Sequence, residues 1–155
     1  RIIAGGGSAG GHVSLLATTN PELNDPQDNR EHDTSVVAYL LFNPALGMAD
    51  AKDSEVDFLQ HIRPDFSPAI VFFGSEDEKW LKGWNAAYEK MQLLNIHSVE
   101  VWIAEDQEHS FFNKQPWQDM TIRASDEFLK DLGLIKGEPT LMLPKTPEKL
   151  VKKSS

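Results

Sequence analysis

Gly6-Gly7-Ser8-Ala9-Gly10 follows a short apolar run at residues 2–4 and precedes small and apolar residues from 10 to about 18. A G-x-S-x-G turn between a strand and a helix holds the serine hydroxyl above a sheet. It also leaves the Ala9 N–H beside a helix start, where an oxyanion would be stabilised. Two later residues can complete that chemistry. Asp77 stands just past the apolar run 69–73 and Gly74, and His109 stands just past the run 98–104. The order Ser, Asp, His, each after a parallel strand, suits a nucleophile, an orienting acid and a base. In that arrangement His109 takes the Ser8 proton, while Asp77 fixes its tautomer and stabilises the imidazolium. Each residue also has a plainer reading: a glycine turn packing helix on strand, a phosphate-binding loop, a turn aspartate, a structural histidine at a strand end. A dinucleotide loop is disfavoured, because the acidic residue it needs at the end of a second strand is not evident.

Neighbouring polar residues widen the choice. Glu76 and Glu78 flank Asp77 and either could take its place, whereas Glu105, Asp106 and Glu108 read as a solvated loop beside His109. His12, one turn into the first helix, could line a pocket, though packing or a helix-end hydrogen bond is the commoner role. His32, His61 and His97 sit in polar contexts and read as surface residues. The chain contains no cysteine, and no two histidines share ligand spacing on one helix face, so no metal or other cofactor is expected.

Elements able to position these residues are readable from the pattern. The unbroken apolar run 36–42 (VVAYLLF), stopped by Asn43-Pro44, and the run 69–73 (AIVFF) suit strands buried on both faces of a parallel sheet. Residues 20–35 predict a solvated loop and 55–62 a short helix. In 78–95, Trp80, Leu81, Trp84, Ala87, Tyr88, Met91 and Leu94 recur at three-and-four spacing, which predicts an amphipathic helix. A third apolar strand follows at 98–104, and a last helix at 117–132 ends at Gly133. Residues 136–155 predict an extended, peripheral tail. Strands alternating with helices indicate an α/β fold in one domain, with four strands visible and an edge that needs cover.

The 15 Lys and Arg against 24 Asp and Glu give a net charge of −9, which argues against nucleic acid or an anionic membrane as the main partner. No apolar run reaches the roughly 20 residues of a membrane span. Arg1-Ile2-Ile3-Ala4 enters the glycines directly with no initiator Met. The sequence therefore reads as the later portion of a domain, its N-terminal strands and any signal peptide lying outside it, and the compartment stays open.

The motif Gly6-Gly7-Ser8-Ala9-Gly10-Gly11-His12 resembles the nucleophile elbow of α/β-hydrolase esterases, in the SAGGH form of the BD-FAE-like and acetyl-esterase-like families. Phe42-Asn43-Pro44, Gly74-x-x-Asp77, the helix carrying Tyr88 and Met91, and His109-x-Phe111-Phe112 are similar to those families too. The resemblance runs from the elbow to about Leu141 and corresponds to the C-terminal half of such a domain. It implies an α/β-hydrolase fold with Ser8 as nucleophile, Asp77 as acid, His109 as base and Ala9 as a backbone oxyanion donor. Two departures bear on pocket shape: Ser110 stands where glycine is frequent, and Gly7 where a larger polar residue is common.

The activity implied is hydrolysis of short-chain acyl esters, carbohydrate esters among them, through an acyl-enzyme. A peptidase or amidase on the same fold, or a non-catalytic binding domain, are the alternatives. These families place a His-Gly-Gly-type loop upstream of the elbow to supply further oxyanion N–H groups. Losing one such donor typically slows turnover about a hundred- to a thousand-fold, so the 155 residues alone are expected to be weakly active or inactive. Trp80, Trp84 and Trp117 could form a sugar platform, but helical spacing makes Trp84 a core residue and leaves Trp80 undecided.

Overall fold

The computed structural model describes residues 1–29 and 31–153; Arg30, within the expected loop, and residues 154–155, within the expected tail, lie outside the described residues. In chain order the elements are β1 (Ile2–Gly7), α1 (Ala9–Thr19), β2 (Val36–Phe42), α2 (Phe58–His61), β3 (Ala69–Gly74), α3 (Glu78–Leu93), β4 (Val99–Ala104), α4 (Trp117–Asp131) and β5 (Leu150–Lys152). They build one sheet in the order β1-β2-β3-β4-β5. The first four strands are parallel and β5 is antiparallel. Gly7 lies opposite Phe42, Phe42 opposite Phe72, and Gly74 opposite Ala104. The parallel strands therefore finish nearly level, and the segments that leave β1, β2, β3 and β4 share one rim.

Strand alternation sorts side chains onto two faces. Tyr39, Leu41, Val71, Phe73, Val99 and Val101 join Leu15 and Leu16 of α1, Phe58 of α2 and Trp84, Ala87 and Met91 of α3. Ala38, Ile70, Phe72 and Ala104 pack instead against Phe111 and against Trp117, Phe128 and Leu129 of α4. All six residues of β3, the central strand, are buried. All seven apolar positions expected on the helix at 78–95 belong to the first of these clusters or pack against it. At its edge Tyr39 is buried with its hydroxyl 2.7 Å from Thr18 Oγ1; burial pushes the phenol pKa up, opposed in part by that hydrogen bond.

Three expectations need correction. The helix expected over 55–62 is shorter, because the Asp57 side chain caps Leu59 N–H and starts the helix only at Phe58. His61 is buried rather than on the surface, its Nε2 sitting 2.8 Å from the Ser54 carbonyl. The tail is not merely peripheral: Leu150, Val151 and Lys152 pair with Ala104, Ile103 and Trp102, which makes a fifth strand and covers the edge of β4. Lys153 N–H donates to the Val101 carbonyl at 2.7 Å, and Lys152 Nζ meets Glu100 Oε1 at 2.8 Å. The stretch before it is held to α4, since the Arg123 guanidinium donates to the carbonyls of Pro139 and Leu141. On the opposite edge, β1 leaves Ile2 and Ile3 exposed.

Candidate active site

Ser8 occupies the turn between β1 and α1 with φ 54° and ψ −124°, a region residues with side chains seldom enter. Its N–H donates to the Phe42 carbonyl at 2.9 Å, and its own carbonyl accepts from Gly11 at 3.1 Å and Ala45 at 3.0 Å. The turn closes this tightly because side chains are missing around it: a Cβ on Gly6 would lie 2.7 Å from the Gly10 carbonyl carbon. Ala9 opens α1, so its N–H is one of the donors that a helix start leaves without an intrahelical partner.

Asp77 sits at the N-cap of α3 yet makes no capping bond. Its Oδ2 instead accepts from the Asn43 amide at 2.7 Å and lies 2.7 Å from His109 Nδ1. Asp77 is buried at 6% exposure, whereas Glu76 and Glu78 on either side are exposed. His109 Nδ1 thus meets Asp77 rather than either neighbour.

His109 reaches this point because the exits of β3 and β4 lie against each other. A Cβ on Gly74 would stand 2.0 Å from the Gln107 carbonyl oxygen, so only glycine admits the loop there. Glu76 N–H donates to that carbonyl at 2.9 Å and Asp106 N–H to Ser75 Oγ at 2.8 Å. His109 Nε2 then lies 2.8 Å from Ser8 Oγ. A carboxylate only accepts, so Nδ1 carries the hydrogen toward Asp77 and Nε2 is left to accept from the Ser8 hydroxyl. Three residues far apart in sequence thus form one hydrogen-bonded line.

The surroundings are aromatic on one side and acidic on the other. The Trp80 ring lies 6.3 Å from the His109 ring, with Lys79 Nζ 4.0 Å from the Trp80 centroid. Trp84 and Trp117 are buried, which removes both from any sugar platform. A cleft of about 270 Å³ beside His109 is lined by Glu76, Asp106, Glu108 and Lys114 among others. A wider cleft of about 610 Å³ lies away from the site, between residues 17–36 and 61–67, and does not include Ser8. His12 bonds the Val56 carbonyl through Nε2 at 2.8 Å, and so ties α1 to the segment before α2. His32 and His97 are exposed. Among the described residues no three His, Asp or Glu side chains gather as metal ligands would.

One departure from the resembled pattern, Gly7, has a local cause, whereas the other, Ser110, keeps a backbone that suits glycine. A Cβ on Gly7 would meet the tip of the Phe112 ring at 2.6 Å, so Phe112 fills the space that a larger residue would use. Ser110 has φ 66°, the left-handed conformation that glycine adopts without strain. Sequence reasoning gave Asn43 no role in the site. Its signal was an asparagine directly after a buried strand and before a proline.

This architecture matches solved esterases. Thermogutta terrifontis esterase 2 phosphorylated by paraoxon aligns at a TM-score of 0.78 and 26% identity, over 89% of this chain and 56% of that one. The fold is the α/β-hydrolase fold. The same esterase phosphoramylated by tabun aligns at 0.77 and 25% identity, over 89% of this chain and 57% of that one. A propionate-bound thermophilic esterase from Thermogutta terrifontis aligns at 0.76 and 25%, over 90% and 58%. The chain therefore spans somewhat over half the length of the esterases it matches. No protein-family model and no curated protein sequence matches it, so the narrower BD-FAE-like or acetyl-esterase-like assignment rests on the sequence resemblance alone. No helix among the described residues is long and apolar enough to cross a membrane.

Proposed function

We propose that the protein is a serine carboxylic-ester hydrolase in which Ser8 is the nucleophile, His109 the general base and acid, and Asp77 the residue that orients His109. The observation carrying this reading is the line Ser8 Oγ to His109 Nε2 at 2.8 Å and His109 Nδ1 to Asp77 Oδ2 at 2.7 Å. In the first half-reaction the Ser8 proton passes to Nε2 as Oγ bonds to the ester carbonyl carbon. The oxyanion so formed is stabilised by the Ala9 N–H at the start of α1. Collapse breaks the bond to the alcohol oxygen, which leaves with the proton from Nε2. Water, deprotonated by His109, then attacks the acyl-Ser8 carbonyl, and release of the acid restores Ser8.

Short acyl groups are favoured as substrates. The similar Thermogutta terrifontis esterase has been solved with propionate bound, with butyrate bound and phosphorylated by paraoxon, and Phe112 takes up room beside Gly7. We also propose that further oxyanion donors come from a preceding segment outside these 155 residues. Support comes from the exposed edge of β1, where Ile2 and Ile3 are 43% and 39% exposed, with Val13 of α1 at 64%.

Turnover of p-nitrophenyl acetate, butyrate and octanoate and of an acetylated sugar tests the reading. The rates should fall with acyl length, vanish in Ser8→Ala, and rise about a hundred-fold or more when the preceding segment is present. Equal rates for Ser8→Ala would overturn the assignment of the nucleophile. Equal rates with and without the preceding segment would overturn the second proposal alone.

A further inference from the structure

We propose that Asn43 is a positioning residue that fixes the Asp77 carboxylate on which His109 leans; this rests on the Ser8–His109–Asp77 reading above. Asn43 is wholly buried at the exit of β2. Its side-chain nitrogen donates to Asp77 Oδ2 at 2.7 Å, and that oxygen also receives His109 Nδ1 at 2.7 Å. An aspartate at a helix N-cap normally turns its oxygen to the first N–H groups of its own helix. Asp77 does not, and so the two donors that hold its carboxylate both come from outside α3. One of them, His109, changes its charge and its hydrogen bond to Ser8 during each proposed turnover. Asn43 stays put.

The direction of the amide follows from chemistry. Turning its oxygen toward Asp77 would set two acceptors against each other, so the amino group must face the carboxylate. The backbone is equally constrained. Asn43 N–H donates to the Phe72 carbonyl at 2.8 Å, which ties it to the strand leading into Asp77. Its φ is 46°, a left-handed conformation that asparagine tolerates and glycine adopts freely. Its Oδ1 is buried without a protein partner among the described residues. Glycine would suit the backbone better and bury no amide. Local strain and an unpaired oxygen meet at a residue whose side chain grips Asp77, which is where a functional constraint outweighs local preference.

The test compares Asn43→Gly, which keeps the left-handed backbone and removes the amide, with Asn43→Asp, which keeps size and sets a carboxyl oxygen against Asp77 in place of the amino group. In the ¹⁵N-histidine-labelled chain the His109 Nδ1–H proton should appear far downfield and be identified by its loss in His109→Gln. It should persist in Ser8→Ala and broaden away in both Asn43 variants, with the far-ultraviolet circular dichroism unchanged. Labelling of Ser8 by a fluorophosphonate should slow about ten- to a hundred-fold in both, as expected for a lost hydrogen bond to a charged group. A folded Asn43→Gly keeping the proton and the normal labelling rate overturns the role of Asn43 and leaves the nucleophile reading intact. Absence of the proton from the unaltered chain would instead remove the His109–Asp77 pairing, and the role of Asn43 with it.

Discussion

The two ends of the sheet are built on opposite principles. At the end where the loop 20–35 feeds β2, asparagine and aspartate oxygens serve their own neighbours, although the Asn20 amide also donates to the Glu55 carbonyl at 3.2 Å. Asn20, Asp25, Asn29 and Asp33 each accept from the N–H two residues on, at 2.8 to 3.0 Å. The Ser35 hydrogen bonds hold the Asp33 carboxyl below its usual range. At the other rim the polar contacts are long-range: Ser8 to His109, His109 to Asp77, Asn43 to Asp77. Among the described residues, four of the five non-glycine residues with positive φ, namely Ser8, Asn43, Asp106 and Ser110, also lie on that rim. A loop that satisfies itself can be solvated and costs the fold little. A rim that must bring distant side chains within hydrogen-bond distance accepts backbone strain to do so, and that asymmetry marks the site more sharply than cleft size does.

The comparison breaks most visibly through Asp77→Asn, which should lower turnover about 10⁴-fold by favouring the wrong His109 tautomer, with the melting curve little changed. Gly74→Ala should act on both properties. Its methyl would collide with the Gln107 carbonyl, which should destabilise the fold by about 1–3 kcal/mol and slow fluorophosphonate labelling as His109 is displaced; unaltered labelling in a folded Gly74→Ala would show that the rim is less tightly fitted than described.

Smaller effects sharpen the contrast. Ser110→Gly relieves a left-handed backbone at φ 66°, and thermal unfolding should show a gain of about 1 kcal/mol with the labelling rate retained. Asp33→Ala, in the self-bonded loop, should leave labelling as it is. A labelling rate that dropped in Asp33→Ala would mean that the two ends are coupled.

Much of the scaffold was legible because it is written in local runs. The strands β2 and β3 declared themselves by unbroken apolar stretches, α3 by seven apolar residues at helical spacing, and the candidate site by Ser8, Asp77 and His109 each following a strand. What stayed hidden depends on partners far away in sequence. Leu150, Val151 and Lys152 become a strand only against residues 102–104, and three residues between lysines carry no periodicity to announce it. His61 is buried because the carbonyl of Ser54 turns toward it. Asn43 looks like a turn residue until Asp77, 34 positions later, is placed beside it.

Intact mass after exposure to a fluorophosphonate tests the central claim most directly, applied to the 155-residue chain and to a longer form with the preceding segment, each also as Ser8→Ala. One adduct per chain, absent from Ser8→Ala and formed faster in the longer form, is the result expected of an activated Ser8. An adduct that survives Ser8→Ala, or none in either folded form, would contradict it.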